Sequence, residues 1–282
     1  MKLVRYGAPG REAPGLIDPS GRIRDISGIV PDLAGEALSP QSLARIRAAD
    51  MASLPLVSGA PRLGACVAKP GNFIAIGLNY ADHAAETGSP IPKEPIMFNK
   101  APNCVVGPND DVMLPKTSLK TDWEVELAVV IGSTASNVSK ADALKHVAGY
   151  CVCHDVSERH YQIERSGQWM KGKGCPTFGP LGPWLVTPDE IADVGKLGMW
   201  LDVNGERMQT GSTATMIFDV ATLIAAISEF MTLDPGDVIT TGTPPGVGMG
   251  MKPPRYLKAG DVVTLGVDGL GAQRQTVVAY KA

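Results

Sequence analysis

The strongest chemical signal in this chain comes from three acidic side chains. In Trp123-Glu124-Val125-Glu126-Leu127 two glutamates alternate with apolar residues. On an extended strand, residues two apart project from one face, so Glu124 and Glu126 point together while Trp123, Val125 and Leu127 point the other way. The apolar run over residues 127–131 marks this strand as buried. Two carboxylates at the mouth of a buried strand repel each other and lose hydration, and a divalent cation removes both penalties. Asp155 closes a second strand-like stretch, residues 150–154, and supplies a third oxygen donor. Three carboxylates without a His/Cys set to match point to a hard cation, Mg²⁺ or Mn²⁺. The plainer alternative is an acidic strand end facing solvent beside basic partners. Cys151-Val152-Cys153-His154 would put two thiols on one face of a strand, but no second ligand pair stands at zinc spacing. Buried apolar cysteines explain it better.

Acid–base candidates lie on both sides of this triad. His83 and Glu86 stand three apart in Asn79-Tyr80-Ala81-Asp82-His83-Ala84-Ala85-Glu86. On a helix they are neighbours, and a carboxylate beside an imidazole orients it and raises its basicity. Such a pair can activate water, or it can be an ordinary surface ion pair. Gly77 and Gly88 bracket the segment, as a mobile lid would require. Lys173 lies in Lys171-Gly172-Lys173-Gly174, where glycines let the backbone approach a ligand. It could hold a carboxylate or stabilise a developing enolate, or be a solvated loop lysine. Thr241-Gly242-Thr243-Pro244-Pro245-Gly246-Val247-Gly248 is a rigid loop after a strand. It lacks the ending of a P-loop and reads equally as a carboxylate cradle or a turn.

The elements that must position these groups follow from pattern. Strands are expected at residues 2–6, 22–26, 73–76, 123–132 and 148–155, with a turn at Asp18-Pro19-Ser20-Gly21. Ser39-Pro40 signals a helix start, with Ser39 as the cap and Pro40 in the first helical position. Helices are also expected at 79–88, 140–146, 157–165 and 218–230, the last with Val220, Leu223, Ile224 and Ile227 on one face. Residues 234–280 read as strands between turns, with Pro235-Gly236-Asp237-Val238 and Ala259-Gly260-Asp261-Val262 as similar turn-into-strand signals. Residues 1–61 form a small N-terminal α/β module, residues 54–62 a Pro/Gly/Ser-rich linker, and residues 70–282 the main domain.

Composition excludes several function classes. Thirty-two glycines and 23 prolines with only 5% aromatic residues imply many tight turns between short strands, hence a β-rich α+β fold. A net charge of −3 offers no basic patch of the kind nucleic acid requires. No apolar run reaches membrane-spanning length, and no apolar segment of a secretory leader follows Lys2 and Arg5. Five cysteines at irregular spacing (Cys66, Cys104, Cys151, Cys153, Cys175) suit free thiols in a reducing cytoplasm.

Taken together, these stretches resemble the fumarylacetoacetate hydrolase family. The matching segments are Ile76-Gly77-Leu78-Asn79-Tyr80-Ala81-Asp82-His83, Lys120-Thr121-Asp122-Trp123-Glu124-Val125-Glu126, residues 149–162, Lys173-Gly174-Cys175-Pro176-Thr177-Phe178-Gly179-Pro180 and residues 240–250. The likeness runs from about residue 70 to the end. It implies a mixed β-roll core with flanking helices, usually in a homodimer or homotetramer. It implies metal ligation by Glu124, Glu126 and Asp155, a water-activating lid dyad of His83 and Glu86, and substrate contacts from Arg159, Gln162, Lys173 and Thr243. Many relatives carry an aromatic and an acidic residue where this chain has Cys175-Pro176, which would alter the pocket wall. Residues 171–185, 213–218 and 242–257 look like the subgroup acting on 2,4-didehydro-3-deoxy-L-rhamnonate. The expected reaction is metal-dependent cleavage of the C3–C4 bond of a 2,4-diketo acid. Alternatives are oxaloacetate decarboxylation, isomerisation or hydration of ring-cleavage oxo-acids, and a metal-stabilised binding protein without turnover.

Overall fold

The computed structural model of the chain describes residues 1–88 and 90–281. Its largest element is a ten-stranded mixed sheet. Nine strands run in the order Ile23–Asp25, Ala13–Ile17, Lys2–Tyr6, Gly179–Val186, Val147–His154, Val125–Ile131, Val238–Thr240, Phe73–Gly77, Ile96–Asn99. Val105–Val106 pairs with Gly179–Val186 from outside this path. Neighbours are antiparallel except Val238–Thr240 with Phe73–Gly77 and Val105–Val106 with Gly179–Val186, which are parallel. Pairing of Lys2–Tyr6 with Gly179–Val186 makes the first three strands an extension of the large sheet.

Val125–Ile131 lies at the centre, and its burial on both faces explains its unbroken apolar sequence. Val125, Leu127, Val129 and Ile131 join one core with Leu223, Ile224 and Ile227 of the helix Val220–Phe230. Ala128 and Val130 join a second core with Phe73, Cys151, Cys153 and, from the helix Pro40–Ala48, Leu43 and Ile46. A second sheet, ordered Glu206–Ser212, Gly198–Val203, Val262–Val267, Gly271–Val278, Val112–Met113, covers the first core. Its Gly198–Val203 strand buries Met199, Leu201 and Val203 in that core, while its other positions are partly exposed, as a one-sided strand requires.

Most expected elements are present, including the Ser39 cap, whose hydroxyl accepts from the Ser42 amide, with Pro40 first in the helix. The helix at 79–88 is observed as Ala81–Thr87, closed by left-handed Gly88 at φ 66°. Three expectations are corrected. Residues 157–165 do not form one helix: Ser157–Glu158 is a short strand paired with Thr121–Asp122, and a single π-helical turn, His160–Glu164, follows. The strand expected from 123 begins at Val125, because Thr121–Asp122 pairs elsewhere and Trp123 and Glu124 bridge the change. Lys173 is not in a loop but ends the short helix Met170–Lys173. No helix among the described residues is long and apolar enough to cross a membrane.

One side chain ties the second sheet to the first at the site. Gln209 is fully buried. Its carbonyl accepts from the Val125 amide at 2.9 Å, and its amide donates to Thr243 Oγ1 and to the Pro244 carbonyl, each at 2.8 Å. Gln209→Leu leaves the Val125 amide and the Pro244 carbonyl without this partner and takes one of the two hydrogen bonds of the Thr243 hydroxyl, and the expected loss is about 2–4 kcal/mol, read by urea unfolding. A loss within ~0.5 kcal/mol of zero would mean that the two sheets do not need this tie.

Candidate metal centre and active site

The register of two central strands brings the acids together. Glu126 lies opposite Cys153 in the antiparallel pair formed by Val125–Ile131 and Val147–His154. One step beyond the paired residues, the Asp155 amide donates to the Glu124 carbonyl at 3.0 Å. Glu124, Glu126 and Asp155 therefore fall on one face, since residues two apart share a side. All three are buried, and each offers an oxygen within 4.8 Å of the others. The solvent-facing alternative for the Glu124/Glu126 pair is thereby excluded.

Cations surround this cluster unevenly. Lys173 Nζ lies 2.5 Å from Glu124 Oε2 and 2.7 Å from Asp155 Oδ2. Lys100 Nζ donates to Asp155 Oδ1 at 2.5 Å and to the Lys173 carbonyl at 2.6 Å. Arg159 donates to Glu124 Oε1 at 2.6 Å, to Asp122 Oδ2 at 2.8 Å and to Gln162 Oε1 at 3.0 Å. Burial opposes ionisation of Glu124, but Lys173 and Arg159 outweigh it and hold its carboxyl down at about 2. Glu126 goes the other way: burial and the nearby Asp155 and Glu124 charges push its carboxyl well above the ordinary range. Its Oε2 accepts from the Thr240 hydroxyl at 2.5 Å and the Gly242 amide at 2.8 Å, yet among the described residues it has no ion pair. Burial lowers the Lys100 affinity for its proton, while the Asp155 charge raises it further, so Lys100 is held cationic.

This donor set fits a hard divalent cation. It offers carboxylate oxygens of three residues at close range, and the one acid without a cationic partner is the one whose ionisation costs most. The backbone is shaped for the purpose at Gly242, whose φ is +97°. A Cβ there would come within 2.9 Å of Asn79 Cβ, so no side chain fits while its amide reaches Glu126.

Next to the acids lies a cavity of about 200 Å³ lined by Glu124, Glu126, His83, Arg159, Gln162, Lys173 and Thr243 together with an apolar set. Seven of the nine residues singled out from sequence thus share one wall; Asp155 stands behind it, and Glu86 orients His83. The His83 Nδ1 and Glu86 Oε2 atoms are 3.0 Å apart. Glu86 also accepts from the Gly246 amide at 3.1 Å, which docks the helix Ala81–Thr87 on the loop after Val238–Thr240. Asn79, fully buried, anchors the start of this segment through the Phe218 amide and the Phe218 and Thr241 carbonyls. Thr243 is held from behind, its hydroxyl donating to the Val125 carbonyl at 2.9 Å. Cys151 and Cys153 are buried in the apolar core, and their thiols are pushed well upward, which suits inert packing. Sequence reasoning missed Lys100, Asp122 and Trp169. Lysine usually lies at the surface, and nothing local in Asn99-Lys100-Ala101 signals burial.

Residues 72–278 match the family model described as the fumarylacetoacetate (FAA) hydrolase C-terminal domain. A provisionally named hydrolase of Burkholderia cenocepacia is 64% identical over 277 residues, covering 98% of each chain. Maleylpyruvate hydrolase of Sphingobium sp., solved with manganese(II) and pyruvate, superposes with a TM-score of 0.83 at 28% identity over the whole of both chains. The 5-carboxymethyl-2-hydroxymuconate delta-isomerase of Mycobacterium smegmatis gives 0.78 at 32% identity, again over the whole of both chains.

The depressed Glu124 carboxyl has a stability consequence of definite sign. Its folded pKa of about 2 lies below the ordinary 4.5, so the stabilisation is present above pH 4.5 and is lost as pH falls from there to 2. Glu124→Gln is expected to be less stable at neutral pH and to show a flatter acid limb over that window in urea melts at several pH values. Parallel limbs for the two proteins would refute the pairing with Lys173 and Arg159.

Proposed function

This chain is a hydrolase or isomerase belonging to the fumarylacetoacetate hydrolase family, and on that premise we propose that it hydrolyses the C3–C4 bond of a 2,4-diketo acid with the help of Mg²⁺ or Mn²⁺. The observation that supports this most is the convergence of three buried carboxylates, Lys173 and the His83–Glu86 pair on one cavity. The relative bound to manganese and pyruvate supports the choice of metal and of a pyruvate-like product.

Glu124, Glu126 and Asp155 would hold the ion, which when bound supplies Lewis-acid charge to oxygens of the substrate's oxo-acid end. The remaining work falls to the chain's own groups. Glu86 engages His83 Nδ1 and so orients the ring, and Nε2, on its opposite edge, serves as the base. His83 takes a proton from water, and the hydroxide adds to the C4 carbonyl. Collapse of that adduct breaks C3–C4, and the bonding pair passes to the pyruvate enolate. Lys173, at the carboxylate cluster and on the cavity wall, offsets the charge that develops on the enolate oxygen. The proton held by His83 then returns to C3. Arg159 and Gln162 line the cavity as donors for the carboxylate of the substrate, and Thr243, whose hydroxyl hydrogen goes to the Val125 carbonyl, borders it. Resemblance within residues 171–185, 213–218 and 242–257 favours 2,4-didehydro-3-deoxy-L-rhamnonate, with pyruvate and L-lactate as products.

A second reading, isomerisation of a ring-cleavage oxo-acid, is favoured by the 32%-identical isomerase. Loss of enol absorbance in a panel of 2,4-diketo acids, with Mg²⁺ and again with EDTA, separates the two. Metal-dependent loss with stoichiometric pyruvate supports hydrolysis; spectral change without pyruvate supports isomerisation and sinks the hydrolase reading. His83→Gln is expected to lower kcat for hydrolysis by roughly 10²–10⁴-fold. Decarboxylation of oxaloacetate, which also passes through pyruvate enolate but needs no activated water, would survive that substitution. A hydrolysis rate unchanged in His83→Gln would remove the dyad from the mechanism.

A further inference from the structure

The lining of the cavity divides by chemistry. Its charged groups gather at the carboxylate cluster, while Leu78, Phe98, Ile163, Trp169 and Met249 form an apolar wall. Among the described lining residues, the permanently charged cations are Arg159 and Lys173. Both stand at the carboxylate cluster, Arg159 paired with Asp122 and Glu124 and Lys173 with Glu124 and Asp155, where they serve the oxo-acid end of the substrate. A substrate held by its oxo-acid end at those groups would have the rest of its chain facing apolar side chains.

Trp169 belongs to that wall, and its position is built. It precedes the short helix Met170–Lys173, and its carbonyl accepts from the Lys173 amide at 3.1 Å. Residues four apart on such a turn share a face, so the indole and the Lys173 ammonium lie on one side. The ring packs edge-on to Phe98, with centroids 5.2 Å apart and planes at 64°. Phe98 in turn lies 5.3 Å from Lys173 Nζ, which makes the aromatic pair continuous with the charged groups. On its other side the indole rests on bare backbone: a Cβ at Gly77 would come within 2.4 Å of the ring. Any other residue at 77 would force the ring aside.

We propose that Trp169, seated on Gly77 and against Phe98, sets the acyl specificity of this site, admitting a compact uncharged group on C4 and rejecting chains that end in a second carboxylate. The physical basis is desolvation. A second carboxylate placed against this wall would be stripped of water with no cation among the described wall residues to receive it, whereas a small alkyl or hydroxyalkyl group would gain contact with the indole. The inference rests on the diketo-acid reading above.

The test compares four acids with wild type, Trp169→Ala and Ile163→Arg: 2,4-dioxopentanoate, an analogue with a longer alkyl group, one with phenyl on C4, and one whose chain ends in carboxylate. Wild type is expected to favour the methyl compound over the carboxylate-ended one by at least about a hundredfold in kcat/KM. Trp169→Ala should shift the phenyl-to-methyl ratio upward by roughly tenfold or more. Ile163→Arg, which places a cation at the exposed rim of the wall, should raise the carboxylate-ended compound relative to the methyl one. Equal wild-type use of the methyl and carboxylate-ended acids, or an unchanged ranking in Trp169→Ala, overturns the proposal. If Trp169→Ala does not fold, Trp169→Phe must give a smaller shift of the same sign, and no shift counts against it. If no diketo acid is turned over, the proposed reaction fails. The specificity is then decided by calorimetric binding of the same four acids to the manganese-loaded protein, where the same ranking upholds it and a flat ranking refutes it.

Discussion

The structure is organised around the cost of burying several carboxylates in one place. Glu124, Glu126, Asp155 and Asp122 are all within a few per cent of complete burial. Isolated, each would lose several kcal/mol of hydration or take up a proton. Lys100, Lys173 and Arg159, equally buried, answer three of them. Among the described residues Glu126 is answered by a hydroxyl and an amide rather than a cation, so the cluster as folded is short of positive charge at one point. A divalent cation would relieve that shortage.

The same constraint governs what is rigid. Asp122 accepts from the amides of Gly248 and Met249 as well as from Arg159, so the charge that steadies Arg159 also fixes the loop beside the cavity. Glu86 docks onto Gly246 in that loop. The helix carrying His83 is therefore referenced to the carboxylate cluster through two hydrogen-bonded steps. The proposed role of His83 as a base needs it within about 3 Å of the proton it moves, and a helix tied only at its ends would not ensure that. The fold provides the tie from the 240s loop, while Gln209 braces that loop from the second sheet.

Electrostatics and shape divide the labour within the cavity. Its cations, Arg159 and Lys173, stand with the carboxylates, and its apolar wall is built from Trp169, Phe98 and their neighbours. Relatives of the same fold act on different oxo-acids, one as a hydrolase and one as an isomerase. A pocket that holds the oxo-acid end at charged groups and the rest of the substrate at an apolar wall can change its substrate through the wall alone.

Much of this was legible in the sequence because it depends on local periodicity. Alternation placed Glu124 and Glu126 on one face, the three-residue spacing paired His83 with Glu86, and Ser39-Pro40 marked a helix start. The motifs, met in order, also identified the family. Local pattern failed where pairing decided the outcome. Residues 157–165 carry a helical pattern, yet Ser157–Glu158 is drawn into a strand by Thr121–Asp122, more than thirty positions earlier in the chain. Only the antiparallel register sets Asp155 beside Glu124, since a shift of one residue would turn it to the other face. Lys100 gave no signal because a lysine's burial depends on the distant acids that receive it, here Asp155. Trp169 was silent for a similar reason: its place in the wall exists because Gly77, far away in sequence, has no side chain. The sequence by itself determined which chemical groups were present and which neighbours shared a face. The tertiary structure decided which of them meet, because burial and charge compensation are properties of groups brought together from distant parts of the chain.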